Sequence, residues 1–359
     1  MIKKKVLLGL SGGVDSSVAA LMLKDQGYEV DALFMRNWID EDGSPYCNIK
    51  EDFMDASFVA DQLDVKLINK DFSSEYKSKV FDYFLEELKN GRTPNPDILC
   101  NKEIKFNVFY KYAMNKNYDY IATGHYCRIK EIKGSHYLLK GIDRNKDQSY
   151  FLHSISQESL SKTLFPIGEL NKVTVRKIAS KKDLITSKKK DSTGICFIGE
   201  RPFPEFLQNY LDKNPGPILT NKYEQIGEHI GLSFYTIGQR QGLKIGGLKE
   251  YSDSPWYVIK KDLKHNSLIV AQGNENPLLF SSRLTTKELN FINHIPDGSY
   301  NLKAKIRYRQ PDQTCKVEVK DNKSSVVFEE PQRAITQGQS LVLYLDDTCL
   351  GGGEIREVE

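Results

Sequence analysis

The chain has 359 residues, a formal net charge of +3 at pH 7 and 39% hydrophobic residues. A single hydrophobic core rarely grows beyond about 250–300 residues, so this length predicts two or three domains. The apolar run in MIKKKVLLGL is too short for a secretory signal, and no stretch approaches the roughly 18 apolar residues of a membrane span. We therefore expect a cytoplasmic protein without a membrane partner, whose small net charge does not by itself indicate nucleic-acid binding.

The first half of the chain alternates short apolar strands with amphipathic helices. The strands KVLLGL, EVDALFM, VKLINK and DYIATGH are separated by helices that the apolar spacing predicts at about residues 14–26, 51–63 and 74–90 and after Pro96. Such alternation is typical of an α/β fold, a doubly wound parallel sheet with helices on both faces.

After about residue 200 the pattern changes to short alternating runs rich in Gly, Thr, Tyr and Val, such as WYVIKKDL, CKVEVK and SLVLYL. These runs predict two small β-rich modules, with a boundary near residues 275–282.

The segment SGGVDSS follows directly after the first predicted strand. Ligands of an open parallel sheet bind outside the carboxyl ends of its strands. Gly12 and Gly13 allow close approach of a ligand to the backbone, and the following helix N-terminus favours a phosphate. Ser11, Ser16 and Ser17 add hydroxyl donors. The segment is neither a G-x-x-x-x-G-K-[ST] loop nor G-x-G-x-x-G, and it resembles the pyrophosphate loop of the ATP pyrophosphatase superfamily.

The six cysteines include no C-x-x-C pair and no zinc-type spacing with histidine, so we expect neither a structural metal site nor structural disulfides. Packing is the expected role of Cys127, Cys315 and Cys349, and Cys47 stays unassigned.

The segment GRTPNPDILCNKEIKF is stiffened by Pro94 and Pro96. We expect Cys100 in the first turn of the helix that begins after Pro96, where unpaired N–H groups would favour a thiolate. Asp97 could transfer protons there. A small buried residue is the alternative for Cys100, and position alone does not decide between the two.

Cys196 lies in KKKDSTGICFIGE, a glycine-flanked and electropositive setting that suits a reactive thiol. Eight cationic side chains between residues 172 and 191 stand against two acidic ones. Such a run is usually a solvated helix face, and a phosphate-binding surface is the alternative.

Nine segments, taken together, resemble the landmarks of the tRNA-specific 2-thiouridylase family, in that family's order. They are GLSGGVDSS, FMRNW, GRTPNPDILCNKEIKF, YIATGHY, NKDQSYFL, KKKDSTGICFIGE, YTIGQRQGLKIGG, KIRYRQ and CLGGGEI. The resemblance spans residues 9–355. It implies three domains: an ATP-binding catalytic domain of the adenine nucleotide alpha hydrolase type (1–203), a small central β-rich domain (204–278) and a C-terminal tRNA-binding β-barrel (279–359).

The resemblance also implies a reaction, the ATP-dependent replacement of the C2 oxygen of the wobble uridine in tRNAs for Lys, Glu and Gln. Cys196 would carry a persulfide, and Cys100 would be the nucleophile that ends in a disulfide with it. The implied ATP-binding residues are Gly9, Leu10, Ser11, Gly12, Gly13, Val14, Asp15, Ser16, Met35 and Gly124. The implied tRNA contacts are Asn95, Pro96 and Asp97 at the target base, with His125, Lys146, Asp147, Gln148, Arg307, Tyr308 and Gln339 elsewhere.

Magnesium is expected to accompany ATP, without assigned ligands, and a cysteine desulfurase or a sulfur-relay protein is the expected donor of persulfide sulfur. Nothing in the sequence demands more than a monomer. One departure from the family is Gln337, which stands where proline is usual and leaves the rigidity beside Gln339 open.

Two other functions remain as alternatives. An ATP-dependent amide ligase would use the pyrophosphate loop but gives the thiols no role. An RNA-binding module with a vestigial nucleotide loop is disfavoured by the intact SGGVDSS segment.

Overall fold

The computed structural model describes residues 3–39, 49–191, 202–247 and 250–359. Its first sheet has five parallel strands in the order β3-β2-β1-β4-β7. The strands of the first half are β1 Lys5–Gly9, β2 Glu29–Arg36, β3 Lys66–Asp71, β4 Tyr120–Ala122, β5 Cys127–Ile132, β6 Ser135–Lys140 and β7 Thr163–Leu164.

Helices cover both faces of this sheet. They are α1 Val14–Asp25, α2 Ile49–Gln62, α3 Ser73–Tyr76, α4 Asp82–Lys89, α5 Pro96–Leu99, α6 Tyr110–Asn115, α7 Gln157–Ser161, α8 Lys172–Lys181 and α9 Phe203–Leu207. Two π-helical segments, Lys77–Phe81 and Cys100–Phe109, continue α3 into α4 and α5 into α6.

The central strand β1 shows why the sheet needs two helical layers. Val6, Leu7 and Leu8 are all fully buried. Because side chains alternate along a strand, Val6 and Leu8 pack into the cluster that contains α1 and α8. Leu7 packs into the opposite cluster, with the helices that follow β3. The doubly wound parallel sheet predicted from the sequence is thereby confirmed.

A second sheet, in the order β10-β11-β8-β9, follows in the chain. Its strands are β8 Gly216–Thr220, β9 Gln225–His229, β10 Trp256–Asp262 and β11 Ser267–Gln272. Strands β8 and β11 pair in parallel, and the other neighbours are antiparallel.

The C-terminal strands form a closed barrel in the order β12-β15-β14-β13-β16-β17, which the pairing of β12 with β17 closes. They are β12 Phe280–Phe291, β13 Gly298–Lys305, β14 Gln313–Lys320, β15 Lys323–Arg333, β16 Ser340–Leu345 and β17 Thr348–Val358. The predicted change from α/β to β-rich structure and the C-terminal barrel are confirmed.

The hairpin β5–β6 belongs to the first half of the chain but extends the sheet of the barrel. Strand β6 pairs with β17, with Leu138 opposite Cys349. The buried Lys140 on β6 also pairs with Asp312 of the barrel. Sheet pairing and an ion pair therefore fasten the barrel to the α/β half of the chain. Across the described ranges, we find no helix long and apolar enough to span a bilayer.

Candidate active site

The loop after β1 turns into α1 through two glycines. Gly12 has φ +75°, and a Cβ on it would collide with the backbone oxygen of Asp52. The Ser16 hydroxyl accepts from the N–H of Ser11 at 3.2 Å and donates to the carbonyl of Gly13 at 3.1 Å. Gly13 supplies no side-chain cap to α1. The first-turn N–H groups of a twelve-residue helix are thus left available to an anion.

The other predicted nucleotide-binding residues lie beside this loop. A Cβ on Gly9 would be 3.0 Å from the Cε of Met35, and one on Gly124 would be 2.8 Å from the backbone nitrogen of Ser16. Leu10 and Val14 are buried beneath the loop. The structure therefore brings the predicted set together at the carboxyl ends of β1, β2 and β4.

Asp15, the first acidic residue of α1, is held by two side chains from distant parts of the chain. Lys172 donates to both carboxylate oxygens of Asp15 at 2.8 Å, and the Tyr126 hydroxyl donates to one of them at 2.7 Å. Lys172 is buried despite its charge. A lysine is buried only where its charge is compensated, so this pair fixes the carboxylate beside the loop.

Asp191 compensates the other side of the same lysine. Its carboxylate lies 2.7 Å from the Nζ of Lys172, from the Nζ of Lys146 and from an Nη of Arg176. Burial alone would raise the pKa of Asp191, but hydrogen bonds from Lys146 and Lys172 and their charges hold it at about 2. The carboxylate is therefore ionised throughout the neutral range.

These contacts change the interpretation of the basic run at residues 172–190. Lys172 and Arg176 are ion-paired to Asp191, and Lys189 pairs with Asp52 and Asp55 of α2. This part of the run is built into the fold around the loop, and neither a solvated face nor a phosphate surface describes it.

The proline-stiffened loop begins α5. The side chain of Asn95 caps the helix by accepting from the N–H groups of Asp97 and Ile98, at 3.1 and 3.3 Å. Cys100 is buried and follows the last residue of α5, and its own N–H donates to the carbonyls of Pro96 and Asp97. The expectation of Cys100 in the first turn is wrong, because Pro96 is already helical and the first-turn N–H groups are those that Asn95 caps.

Burial raises the pKa of the Asp97 carboxyl above its ordinary value of 3.8, against the opposing charge of Lys105. A carboxyl with a raised pKa is suited to hold and release a proton nearer neutrality, as the proton-transfer prediction requires.

His125 connects the nucleotide loop to the helix that carries Cys100. Nδ1 of His125 is hydrogen-bonded to Thr123 Oγ1 at 2.8 Å, and Nε2 of the same ring lies 3.5 Å from the Nζ of Lys105. Burial and the charge of Lys105 hold the pKa of His125 well below 6.5, so the imidazole is neutral. Phe109, at the end of the same π-helical segment, also lies against Gly9. The Cys100 helix and the nucleotide loop therefore share one edge of the sheet.

The other cysteines fall into two groups. Cys47 and Cys196 lie outside the described residues, so the predicted persulfide position and its meeting with Cys100 stay predictions. Cys127, Cys315 and Cys349 are buried as expected for packing residues. Burial raises the pKa of Cys315 and of Cys349 to about 12, and that of Cys127 well above 9.0.

The predicted tRNA residues 146–148 have partners within the protein. Asp147 is buried and accepts from the N–H groups of Gly141 and Ser149, both at 3.1 Å. Gln148 Oε1 accepts from the N–H of Tyr126 at 2.9 Å. These two residues shape the turn that holds Tyr126 near Asp15, and their contact with tRNA remains a prediction.

Two of the three predicted barrel residues, Tyr308 and Gln339, contact the first half of the chain, whereas Arg307 is bonded within the barrel. The Tyr308 ring centroid is 4.4 Å from that of Phe151. Arg307 donates to the carbonyl of Ala334 at 2.6 Å, and Gln339 donates to the carbonyl of Thr93 at 2.6 Å. The barrel therefore reaches the loop that carries Asn95.

Comparisons with known proteins show which family the chain belongs to. Three family models match in succession: a tRNA methyl transferase HUP domain over residues 4–200, a tRNA methyl transferase PRC-barrel domain over residues 204–272, and an aminomethyltransferase beta-barrel domain over residues 281–355. The tRNA-specific 2-thiouridylase MnmA of Pseudomonas fluorescens (strain Pf0-1) is 57% identical over 358 residues, which cover 99% of this chain and 96% of that protein. The chain belongs to the tRNA-specific 2-thiouridylase family. The proteins of that name from Hahella chejuensis and a Marinomonas species are 55% and 56% identical, and the matches cover 99% and 98% of this chain and 98% and 91% of theirs.

Several residues at this 2-thiouridylase site were not singled out from the sequence. Tyr126 and Lys105 lie within the segments YIATGHY and GRTPNPDILCNKEIKF, but nothing in the neighbouring sequence indicates which residues they contact. Lys172 is one of eight cations in a basic run. A local pattern cannot show which lysine meets Asp15, because 157 positions separate the two residues. Among the described residues, no group of three or more His, Cys, Asp or Glu side chains is arranged to hold a metal ion.

Proposed function

We propose that the protein catalyses ATP-dependent 2-thiolation of the wobble uridine, U34, in tRNAs for Lys, Glu and Gln. The observation that carries the proposal is the shared edge: Gly124 lies against Ser16 of the nucleotide loop, while the adjacent His125 contacts Lys105 on the Cys100 helix. The Cys100 thiol can then act on an intermediate formed at the loop without that intermediate leaving the site.

ATP would bind with its phosphates at the N-terminus of α1, between residues 9–16, Met35 and Gly124. The uridine C2 oxygen attacks the α-phosphate, pyrophosphate leaves, and the oxygen becomes part of AMP, a good leaving group. Magnesium would neutralise phosphate charge. Both oxygens of Asp15, the carboxylate at the loop, are already held by Lys172, and we assign no protein ligand to the ion.

Sulfur transfer would use both thiols. The terminal sulfur of a Cys196 persulfide attacks C2, and AMP departs with the former C2 oxygen. The Cys100 thiolate then attacks the Cys196 sulfur, which forms a disulfide and leaves the terminal sulfur on uridine. A thiol reductant must reopen the disulfide, and a desulfurase or relay protein must reload Cys196 for the next cycle.

Asn95, Pro96 and Asp97 would face the target base, and the raised pKa of Asp97 supports a role in proton transfer. Positive and aromatic side chains of the barrel, Arg307 and Tyr308, would contact RNA phosphates and bases.

We assign the catalytic domain to residues 1–203, the central domain to 204–278 and the tRNA-binding barrel to 279–359, in a cytoplasmic monomer.

Reconstitution tests the proposal. The purified protein is incubated with a tRNA transcript carrying U34, ATP, magnesium, a thiol reductant and a persulfide donor, and the tRNA is digested for nucleoside mass analysis. We expect 2-thiouridine with the wild type, none with Cys196→Ser, and the wild-type amount with Cys315→Ala, a matched control in the barrel core. Absence of 2-thiouridine with the wild type, or its formation by Cys196→Ser, contradicts the proposal.

A further inference from the structure

The short segment 91–93 enters the Asn95 loop and is held by both β-rich regions. Its backbone offers three polar groups that are bonded outside the first half of the chain: the carbonyl of Gly91 and both the N–H and the carbonyl of Thr93. Loop backbone is usually bonded to water or to its own neighbours, so anchoring from two other regions is a specific constraint.

The barrel contributes the turn before β16. The N–H of Thr93 donates to the carbonyl of Gln337 at 2.9 Å, and Nε2 of Gln339 donates to the carbonyl of Thr93 at 2.6 Å. Between them, Gly338 has φ +87°, and a Cβ there would lie 2.8 Å from the nitrogen of Thr93. The turn therefore brackets one peptide residue at close range, and only glycine fits its centre.

The central region holds the same segment from strand β10 and the turn that follows it. Lys261 Nζ donates to the carbonyl of Gly91 at 3.1 Å, and Leu263 packs against Gly91 where a Cβ would stand. Lys261 is half-buried, and burial lowers its pKa to about 8. The central region thus holds Gly91, and the barrel holds Thr93.

Thr93 is two residues from Asn95, which caps the helix leading to Cys100. Pro94 is buried between them, and Pro94 and Pro96 fix their own φ angles, so the chain has few soft dihedrals with which to absorb a shift at Thr93. A displacement of Thr93 would reach Asn95 and Asp97 almost undiminished. Errors of about 1 Å at reacting groups can cost on the order of a hundredfold in rate.

We propose that Gln339, with the Gln337 carbonyl and Gly338, is a positioning element. It holds Thr93 against the barrel and thereby fixes the position of the Asn95 loop that would face the target base. Gln339 acts through Thr93 rather than on the reacting atoms, because its amide nitrogen donates to the Thr93 carbonyl. The inference rests on the proposed thiolation for its kinetic consequence, but the contact can be measured without any reaction.

Gln337 provides a matched control. Its side chain is exposed, and its contribution to Thr93 is a backbone carbonyl, which proline also has. The substitution Gln337→Pro therefore keeps the acceptor, whereas Gln339→Met removes the donor at similar size and Gly338→Ala pushes the turn away from Thr93.

The first readout is amide hydrogen exchange in the peptide covering residues 88–99 of the full-length protein. Exchange at Thr93 should accelerate at least about tenfold in Gly338→Ala and in Gln339→Met and stay within about twofold in Gln337→Pro. The second is single-turnover thiolation with saturating ATP and tRNA. We expect Gln339→Met to lower the rate about tenfold or more, with the tRNA Kd within about twofold of wild type.

A raised tRNA Kd with an unchanged saturated rate would make Gln339 a tRNA contact and overturn positioning. Unchanged exchange at Thr93 in both Gly338→Ala and Gln339→Met would overturn the contact itself. If the wild type forms no 2-thiouridine, the proposed function has failed, and the exchange measurement alone still decides whether the barrel holds the segment.

Discussion

The substitution Lys172→Met tests whether the buried lysine holds the nucleotide loop together. Lys172 has about a tenth of its side chain exposed and contacts the carboxylates of Asp15 and Asp191 at 2.8 and 2.7 Å. Methionine keeps the length and apolar stem but removes the charge. The two carboxylates would then lie near each other beside the loop without the cation between them.

The magnitude follows from Asp191. A pKa of about 2 in place of the ordinary 3.8 corresponds to about 2 kcal/mol in favour of the charged folded form. Lys146 accounts for part of that shift, but Lys172→Met also removes the contacts to Asp15. We therefore expect Lys172→Met to lower the free energy of unfolding by about 2 kcal/mol at pH 7. Because the folded pKa is depressed, the difference is present above pH 3.8 and disappears as the pH falls towards 2.

We expect the rate of ATP use to fall together with the free energy of unfolding. Without Lys172 the Asp15 carboxylate loses its charged partner next to the phosphate-binding loop and repels the phosphates, although Asp191 keeps Lys146 and Arg176. We expect tRNA-dependent pyrophosphate release to drop at least about tenfold. The assays are denaturant unfolding at pH 7 and pH 3 and pyrophosphate release with saturating tRNA. The control is Lys177→Met, an exposed lysine on the same helix α8. Equal stability and equal pyrophosphate release in the two variants would refute the reasoning.

Three further predictions concern the loop and the two reactive segments. Cys100→Ser and Cys196→Ser should each stop turnover while leaving tRNA affinity within about twofold, and a normal thiolation rate in either removes that thiol from the mechanism. Asp97→Asn should raise the melting temperature at pH 7, since burial disfavours the charged carboxyl. The gain should shrink as the pH falls to about 4, and thiolation should be slower; a lower melting temperature at pH 7 would contradict this. Gly12→Ala should abolish ATP binding measured by calorimetry, because its Cβ meets the Asp52 backbone; wild-type affinity would show that the loop tolerates a side chain.

The features predicted well from the sequence are those with a local physical signature. An apolar strand, two glycines and a helix start predict the nucleotide loop at residues 9–16, because each step follows from local sterics and hydrogen bonding. The spacing of apolar residues likewise predicts α1, α2 and the helical layers on the two faces of the sheet. Strand β7 was missed because Thr163–Leu164 is too short to show a period.

Features created by distant pairing were not predictable in this way. The hairpin β5–β6 has the pattern of an ordinary pair of strands, and only the fold joins it to β17. The same holds for Lys172 with Asp15, and for Thr93 with Gln337 and Gln339. The Gln337 departure from the family's usual proline is explained only by the structure, since the carbonyl rather than the side chain makes the contact.

Nucleoside mass analysis of tRNA from cells lacking this protein tests the central claim most directly. We expect 2-thiouridine at position 34 of the Lys, Glu and Gln tRNAs to disappear, to return with the wild-type chain, and to stay absent with Cys196→Ser. Undiminished 2-thiouridine in the deletion strain would contradict the account.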